Sequence, residues 1–506
     1  MDIIKTIDSY SITKATTAAH IWRDKVLTYD ELCNRSNSLA NYIIQKYKDD
    51  TTPIIVYGHK QNEMLICFLA CIKAGHAYIP VDSSLPTDRI NGIFESSKAK
   101  LMLNLEKPNE LFKGIEIIYE DKLIDIFDTV SSASPEESYR VKEDDVHYII
   151  YTSGSTGKPK GVQITHNNLK SFINWALTLG NLSSRTDHVF INAAPFSFDL
   201  SVMDLYLSLY TGGTLFSIDK MMIVDPKDLF NNLKQSDATV IVCTPSFSDF
   251  CLADSSFNKD MLPNLQCFLF CGETLTNKTV ENLFLRFPNT QVVNLYGPTE
   301  ATVAITAITI DKEICDNISP LPVGVVKPDC KIQIMSTNGD LLKDGEHGEI
   351  IIIGDSVSIG YYKNPEVTKK SFFTWQNKRA YHTGDEGYLV DDMLYYCGRL
   401  DFQIKLNGYR IEIEDIENNI RRLKGISNVV VIPSFSDGKV SHLNALIILS
   451  DKNADRSLGA MIELKKELKA LLPDYMIPKK IIFKDSFPTN SNGKIDRKAL
   501  AAEVNK

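Results

Sequence analysis

The sequence predicts an α/β protein with a large N-terminal domain, built of α/β subdomains plus a β-rich subdomain, and a small α+β C-terminal domain. Three observations predict it. Short apolar strands alternate with helix-periodic segments along most of the chain, the pattern of α/β units around largely parallel sheets. Near 320–400, short strands separated by turn residues take over. After Asp401 the pattern changes again, to a mixture of ordinary domain size. The expected division is 1–400 and 401–506. It falls within the roughly two to four domains or subdomains that a prior of about 150 residues each allows for such a length.

The elements follow in order. Ile54-Ile55-Val56-Tyr57 is uninterrupted apolar and reads as a buried strand; Glu63 to Ala74 reads as a helix stopped by Gly75. Tyr78-Ile79-Pro80-Val81 resumes extended structure, and Val146 to Tyr151 is another strand. A Ser/Gly-rich loop then leads to a helix with Leu169, Phe172, Ile173 and Ala176 at i, i+3, i+4, i+7. Lys331 to Ile334 and Gly348 to Gly354 are short strands, with Asn338-Gly339 as a turn. In the last part, Ile413 to Leu423 is an amphipathic helix, Val429 to Ile432 and Leu443 to Leu449 are strands, and Leu458 to Leu472 is a helix stopped by Pro473.

Composition narrows the class. Lys+Arg total 55 against 64 Asp+Glu, a net charge of −9. Such a chain lacks the basic face that duplex nucleic acid requires. Hydrophobic residues at 43% and charged residues at 24% are ordinary for a globular protein. The ten cysteines are scattered and read as reduced, mostly buried thiols. Cys67/Cys71 and Cys267/Cys271 share a spacing that could bring thiols together on a helix, but no second ligand pair sits at zinc-site spacing. Met1 to Thr6 carries no apolar signal region. The longest apolar run, Met64 to Ile72, is far short of the roughly 20 residues that span a bilayer. A cytoplasmic protein without a transmembrane segment is expected.

The chemistry concentrates in a few runs. Tyr151-Thr152-Ser153-Gly154-Ser155-Thr156-Gly157-Lys158-Pro159-Lys160-Gly161 has glycines that free the backbone to approach an anion and hydroxyls that can donate to phosphate oxygens. It is not a Walker A loop, because Gly154 and Gly157 are too close and Pro159 follows Lys158. Asn294-Leu295-Tyr296-Gly297-Pro298-Thr299-Glu300, Tyr381-His382-Thr383-Gly384-Asp385, Gly398-Arg399-Leu400-Asp401 and Asn492-Gly493-Lys494-Ile495-Asp496-Arg497 follow in that order. Together they closely resemble the adenylate-forming superfamily, over nearly the whole chain.

That resemblance implies a reaction joining a carboxylate to the α-phosphorus of ATP with loss of pyrophosphate, assisted by Mg²⁺. Two anions must meet, so charge neutralisation dominates; at 4 Å two unit charges interact by about 4 kcal/mol at an effective dielectric near 20. By resemblance, Lys494 is the catalytic cation between carboxylate and phosphate. Asp385 would accept the ribose hydroxyls, Arg399 would reach ribose and phosphate, and Glu300 would be the Mg²⁺ ligand. Thr152, Ser153, Asn294, Leu295, Tyr296, Gly297, Pro298, Thr299, Tyr396, Cys397 and Gly398 would line the nucleotide.

Pro195-Phe196-Ser197-Phe198-Asp199 points to an amino-acid substrate. In amino-acid-activating relatives an Asp at the position of Asp199 pairs with the α-ammonium, whereas a fatty acid offers no cation and would leave a buried carboxylate uncompensated. An N-cap at the start of a helix from Leu200 is the competing role for Asp199. Within the superfamily the chain resembles the ligases that load D-alanine onto a phosphopantetheine-bearing carrier protein for lipoteichoic acid. By that resemblance Cys271 and Val303 shape a small pocket for the D-methyl group. Another small amino acid, or acyl-CoA formation, is the alternative. No Gly-Gly-Asp-Ser-Leu-like attachment site occurs in the chain, so the acceptor is expected on a separate molecule. In the superfamily the small domain is mobile and rotates between two half-reactions. Asp401 matches the hinge, and Lys405 and Gly408 lie on the face expected to replace Lys494.

Overall fold

The computed structural model describes residues 2–47, 50–107, 114–154, 159–400, 403–436, 439–451, 454–488 and 495–505. Within them the expected α/β architecture is present, with a large N-terminal and a small C-terminal domain. A six-stranded sheet runs in the spatial order Glu116–Tyr119, Leu101–Asn104, Ile54–Gly58, Tyr78–Asp82, Val146–Thr152, Lys160–Thr165. It is parallel except for its last pair. A second sheet of fourteen strands has a parallel centre formed by Thr214–Ser217, Val189–Asn192, Val240–Cys243, Cys267–Phe270 and Gln291–Tyr296.

These strands and helices form where the sequence places them because the parallel strands are apolar on both faces. Ile54–Gly58, Tyr78–Asp82, Val240–Cys243 and Cys267–Phe270 are buried at every position. Leu200–Thr211 is apolar nearly all round and buried on nearly every side. It lies between the two sheets, where Leu205 and Tyr206 share one apolar core with Tyr78 and Tyr148 of one sheet, Phe68 of the helix Asn62–Lys73, and Leu215 and Leu269 of the other sheet. A helix buried this way cannot slide without opening cavities, so its first residue is rigidly placed.

Two expectations change. The Ser/Gly-rich loop does not run from strand to helix. It joins two antiparallel strands, with Thr152 opposite Lys160, and the helix His166–Ala176 begins only after Lys160–Thr165. The alternation within Lys160–Thr165 suits a half-buried strand, and Thr165 closes it as N-cap of that helix. The loop therefore has no helix N-terminus behind it. Likewise the Cys267/Cys271 spacing falls on a strand and its end, not on a helix; Cys67 and Cys71 do lie on the helix Asn62–Lys73. All ten cysteines are free thiols, and Cys397 alone is exposed.

The β-rich stretch is not a separate sheet. Cys330–Met335, Gly348–Gly354, Lys378–Val390 and Met393–Arg399 pair antiparallel with one another, and Gly324–Val326 and Thr306–Ile310 join them to the parallel centre. This continuity carries the Asp385 and Arg399 segments to the edge of the Asn294–Thr299 segment. The C-terminal domain has its own core around Ile411, Ile416, Val429, Ala445 and Leu468. It holds a three-stranded sheet, Ile426–Ser436, Lys439–Leu449 and Lys480–Phe483, and the hairpin Gln403–Leu406/Tyr409–Glu412.

The last helix, Arg497–Val504, is tied to this core by a bidentate pair. The Arg497 Nη2 donates to both Glu417 oxygens at 2.6 and 2.7 Å, and Glu417 Oε1 also accepts from the Val431 amide at 2.8 Å. Glu417 is buried, and without Arg497 it keeps only the part-exposed Arg421, 3.2 Å from Oε2, as a cation. Arg497→Ala should destabilise the C-terminal domain by about 2–3 kcal/mol, less than a buried pair broken outright. Amide hydrogen exchange of 426–436 and 495–505 would read this as lost protection, while the parallel strands of the large domain keep theirs.

Candidate active site

The site forms at the carboxyl ends of the parallel strands, where open α/β sheets place ligands. Strand Gln291–Tyr296 ends in the tight turn Gly297-Pro298 and the single 3₁₀ turn Thr299–Ala301. Gly297 is required by a close approach: a Cβ there would lie 2.5 Å from Ala304 Cα. Thr302 and Val303 both have left-handed backbone, φ 59° and 67°. For two β-branched residues in succession this is strained, and such strain persists only where the surroundings over-determine it. It turns the Val303 carbonyl toward Cys271, whose Sγ lies 3.8 Å from it. Both residues are buried; burial pushes the Cys271 thiol up to about 11, and the nearby Asp199 charge adds to this.

Asp199 sits at the N-terminal end of the buried helix Leu200–Thr211 but makes no side-chain cap. Its carboxylate is therefore not used as an N-cap. Burial pushes its carboxyl up to about 6, and the nearby Glu300 charge adds to this; a Thr299 hydrogen bond and the Lys405 and Arg410 charges pull the other way. The loop leading to Asp199 is held from beneath. Lys60 is completely buried and donates to Asn192 Oδ1 and the Ala194 carbonyl, with its ammonium 4.5 Å from the centroid of the Phe196 ring. Asn192 in turn donates to Asp204 at 2.9 Å. Nothing in the spacing of Lys60 signals this role.

On the nucleotide side, Asp385 is buried and bridged. The Tyr296 hydroxyl donates to Oδ2 at 2.6 Å and Arg399 Nη1 donates to Oδ1 at 2.8 Å. Strand pairing sets Asp385 opposite Arg399, so the two motifs meet by register. Tyr396 packs against Tyr296, ring centroids 5.7 Å apart. Tyr296, Tyr396 and Arg399 line a cleft of about 790 Å³ with Gly272, Glu273 and Lys405, and Asp385 lies behind them, held by Tyr296 and Arg399. Within the Asn294–Thr299 run the side chains divide. Asn294 donates to the Pro322 carbonyl at 2.8 Å, and Leu295 packs into the core, so these two offer backbone more than side chain to a ligand. Cys397 lies on the same strand edge with its exposed thiol 3.7 Å from His347 Nδ1. Gly398 has φ 129° and leaves open space where a side chain would stand.

Glu300 is wholly buried. Burial opposes its ionisation, but the Arg410 charge, a hydrogen bond from Tyr361 and the Lys160 charge hold it down at about 2. Tyr361 donates to Oε1 at 2.7 Å, and Arg410 Nη1 meets Oε2 at 2.6 Å. A permanently ionised, hard carboxylate suits Mg²⁺ when substrate phosphates complete the shell. Among the described residues no cluster of three or more His, Cys, Asp or Glu could hold a metal alone.

The C-terminal hairpin is seated in the site. Ser153 Oγ donates to the Arg410 carbonyl at 2.9 Å, Gly408 N donates to Glu273 Oε1 at 2.7 Å, and Lys160 pairs with Glu412 at 3.3 Å. The Lys405 ammonium lies 5.8 Å from the centroids of both Tyr296 and Tyr396. The face bearing Lys405 and Gly408 thus faces the large domain. Lys494, Asp401 and Ser155 to Lys158 lie outside the described residues, whereas Thr152 continues its strand with its hydroxyl 3.5 Å from the Lys160 carbonyl. On the other side of the hairpin a cleft of about 480 Å³ runs between Phe198, Thr244, Asn407 and Tyr409 to the exposed Val224 and Phe250. Arg410, Tyr361 and Lys60 were not singled out by sequence reasoning; only the Gly408-Tyr409-Arg410-Ile411-Glu412 context could have drawn notice to Arg410.

A model of the AMP-binding enzyme family matches residues 12–362, and one of the AMP-binding enzyme C-terminal domain matches residues 415–494. The chain belongs to the AMP-binding enzyme family and is an AMP-forming ligase. It is 49% identical over 504 residues to the D-alanine–D-alanyl carrier protein ligase of Bacillus cereus strain G9842, covering 100% of both chains, and 48% identical over the same length to the ligase of that name from Bacillus cytotoxicus. In fold it is similar to o-succinylbenzoate CoA synthetase of Bacillus subtilis, with TM-score 0.84 at 22% identity over 98% of each chain. A Vibrio cholerae adenylation domain solved with glycyl-adenosine-5'-phosphate gives TM-score 0.82 at 22% identity, over 99% of this chain and 96% of that one. Among the described residues no helix is long and apolar enough to cross a membrane.

The Asp199 environment makes a testable statement about stability. A carboxyl raised from 3.8 to about 6 binds a proton in the folded state that the unfolded chain has lost, so folding stability falls as pH rises through that window. Replacing the charge removes this cost. Asp199→Asn should raise the stability of the ligand-free protein at pH 7 by up to about 3 kcal/mol. The gain should vanish near pH 4, where the native carboxyl is already protonated. Thermal melts at the two pH values check it, and an equal shift at both would contradict the assignment.

Proposed function

We propose that the protein activates D-alanine with ATP to D-alanyl-AMP and transfers it to the phosphopantetheine thiol of a separate carrier protein. The observation that carries this reading is the convergence of Asp199, Cys271 and Val303 beside the nucleotide cleft, in a chain similar over its full length to ligases of that name. The ionised Asp199 would pair with the substrate α-ammonium, and the Cys271–Val303 wall would leave room for a methyl group only. The roles taken from resemblance stand as proposals. Asp385 holds the ribose, Arg399 spans ribose and phosphate, Tyr296 and Tyr396 contact the base and sugar, and Thr152 and Ser153 meet phosphate oxygens.

In the first half-reaction the D-alanine carboxylate oxygen attacks the α-phosphorus and the bond to pyrophosphate breaks. Lys494 would offset the mutual repulsion of the two anions. Glu300 would hold Mg²⁺, which when bound supplies positive charge to the phosphates. In the second, the carrier thiolate attacks the acyl carbon and AMP leaves. The cleft of about 480 Å³ past Phe198, Thr244 and Tyr409 suits a narrow, flexible arm approaching from the Val224 and Phe250 side. Asp401 would be the hinge between 1–400 and 401–506 that exchanges Lys494 for the Gly408 hairpin. A cytoplasmic setting, where ATP is available, and the D-alanylation of lipoteichoic acid complete the proposal.

ATP–pyrophosphate exchange tests it. D-alanine should drive exchange more strongly than L-alanine, glycine or acetate, and Lys494→Ala should abolish exchange while nucleotide binding persists. Exchange with acetate but not D-alanine would move the protein to acyl-CoA formation. Stronger exchange with another amino acid would reassign the pocket.

A further inference from the structure

The Arg410 guanidinium holds one oxygen of Glu300. Tyr361 takes Oε1 and Arg410 takes Oε2, so both oxygens of this fully buried carboxylate are engaged. The same strand also takes up Ser153, whose hydroxyl donates to the Arg410 carbonyl and accepts from the Glu412 amide at 3.3 Å. Arg410 is itself steered by Gln403, whose Oε1 accepts from Arg410 Nε at 2.8 Å. A forked guanidinium can hold Gln403 and Glu300 at once, which an ammonium cannot. Three more pairs fasten the same seating, Arg89–Asp415 at 3.0 Å, Lys160–Glu412 at 3.3 Å and Lys439–Asp249 at 2.6 Å.

We propose that Arg410 and the divalent cation compete for Glu300, so that metal occupancy and the seating of the C-terminal hairpin exclude each other. The inference rests on Glu300 being the metal ligand, as proposed above. It adds that the cation at Glu300 is never missing: when the hairpin is withdrawn the metal answers the buried charge, and when it is seated Arg410 does. By linkage, a metal that binds only the withdrawn arrangement must shift the domain toward it, and the apparent metal affinity is reduced by the fraction of molecules whose hairpin is seated. Arg410 is a positioning residue here, acting through Glu300.

The test measures Mn²⁺ binding by the electron paramagnetic resonance of the free ion, with the full chain saturated with α,β-methylene-ATP so that no turnover occurs. Arg410→Gln should bind Mn²⁺ up to about threefold more tightly than wild type, as expected if the hairpin is seated in two molecules of three. Arg410→Lys, which keeps the charge but not the fork, should lie between them and serves if the Gln variant folds poorly. Distance measurements between labels at the exposed Leu285 and Leu458 should show saturating Mn²⁺ shifting the wild-type distribution, with little further shift in Arg410→Gln. Unchanged affinity in both Arg410 variants, with weakened binding in Glu300→Gln, overturns the competition alone. Unchanged affinity in Glu300→Gln overturns the competition together with the reading of Glu300 as metal ligand.

Discussion

The site keeps three buried carboxylates, Asp199, Glu300 and Asp385, in the place where a polyanionic nucleotide has to bind. Isolated buried charges of one sign are costly, so each must be answered. Asp385 is answered within the large domain, by Arg399 and the Tyr296 hydroxyl. Glu300 is answered across the domain boundary, by Arg410. Among the described residues Asp199 has no cation in hydrogen-bond contact, and burial raises its pKa. Among the described residues it is the one of the three without such a partner, which is what the proposed pairing with a substrate ammonium draws on.

The same electrostatics govern how the two domains meet. The hairpin Gln403–Leu406/Tyr409–Glu412 enters the site with a cation, Arg410, and a backbone amide, Gly408 N, aimed at two carboxylates of the large domain. Its own acid, Glu412, is met by Lys160. Few apolar residues are shared across this seam, and each domain has a core of its own. Polar seams of this kind can be exchanged at small cost, because water or substrate can replace each partner. A net charge of −9 thus conceals a seam of locally paired charges, and the anion-binding cleft is set by a few cations rather than by the total.

Much of the fold was legible because local pattern and tertiary environment agreed. Ile54–Gly58, Asn62–Lys73, Tyr78–Asp82 and Leu458–Leu471 lie where their periodicity and their Gly or Pro stops predict. Lys160–Thr165 was not legible. Its alternation is short and follows a Ser/Gly-rich run that reads equally well as the approach to a helix, and its strand character comes from pairing with Val146–Thr152. The site residues divide the same way. Asp199, Glu300, Asp385 and Arg399 sit in short runs whose chemistry is visible in order along the chain. Lys60 and Tyr361 are single residues without a local signature, brought to their partners over more than sixty positions.

By itself the sequence determined the fold class, the order of the nucleotide motifs and the presence of an acid at 199, since these depend on residue type and short-range spacing alone. The tertiary structure decided what those residues do to each other. It set Asp385 opposite Arg399 by strand register, denied Asp199 its place as an N-cap, bent Val303 toward Cys271 through two left-handed residues, and put Arg410 on Glu300. These outcomes range from neighbouring strands, as for Asp385 and Arg399, to segments more than a hundred positions apart, as for Arg410 and Glu300. Their energies depend on burial and distance, which no local pattern of residues encodes.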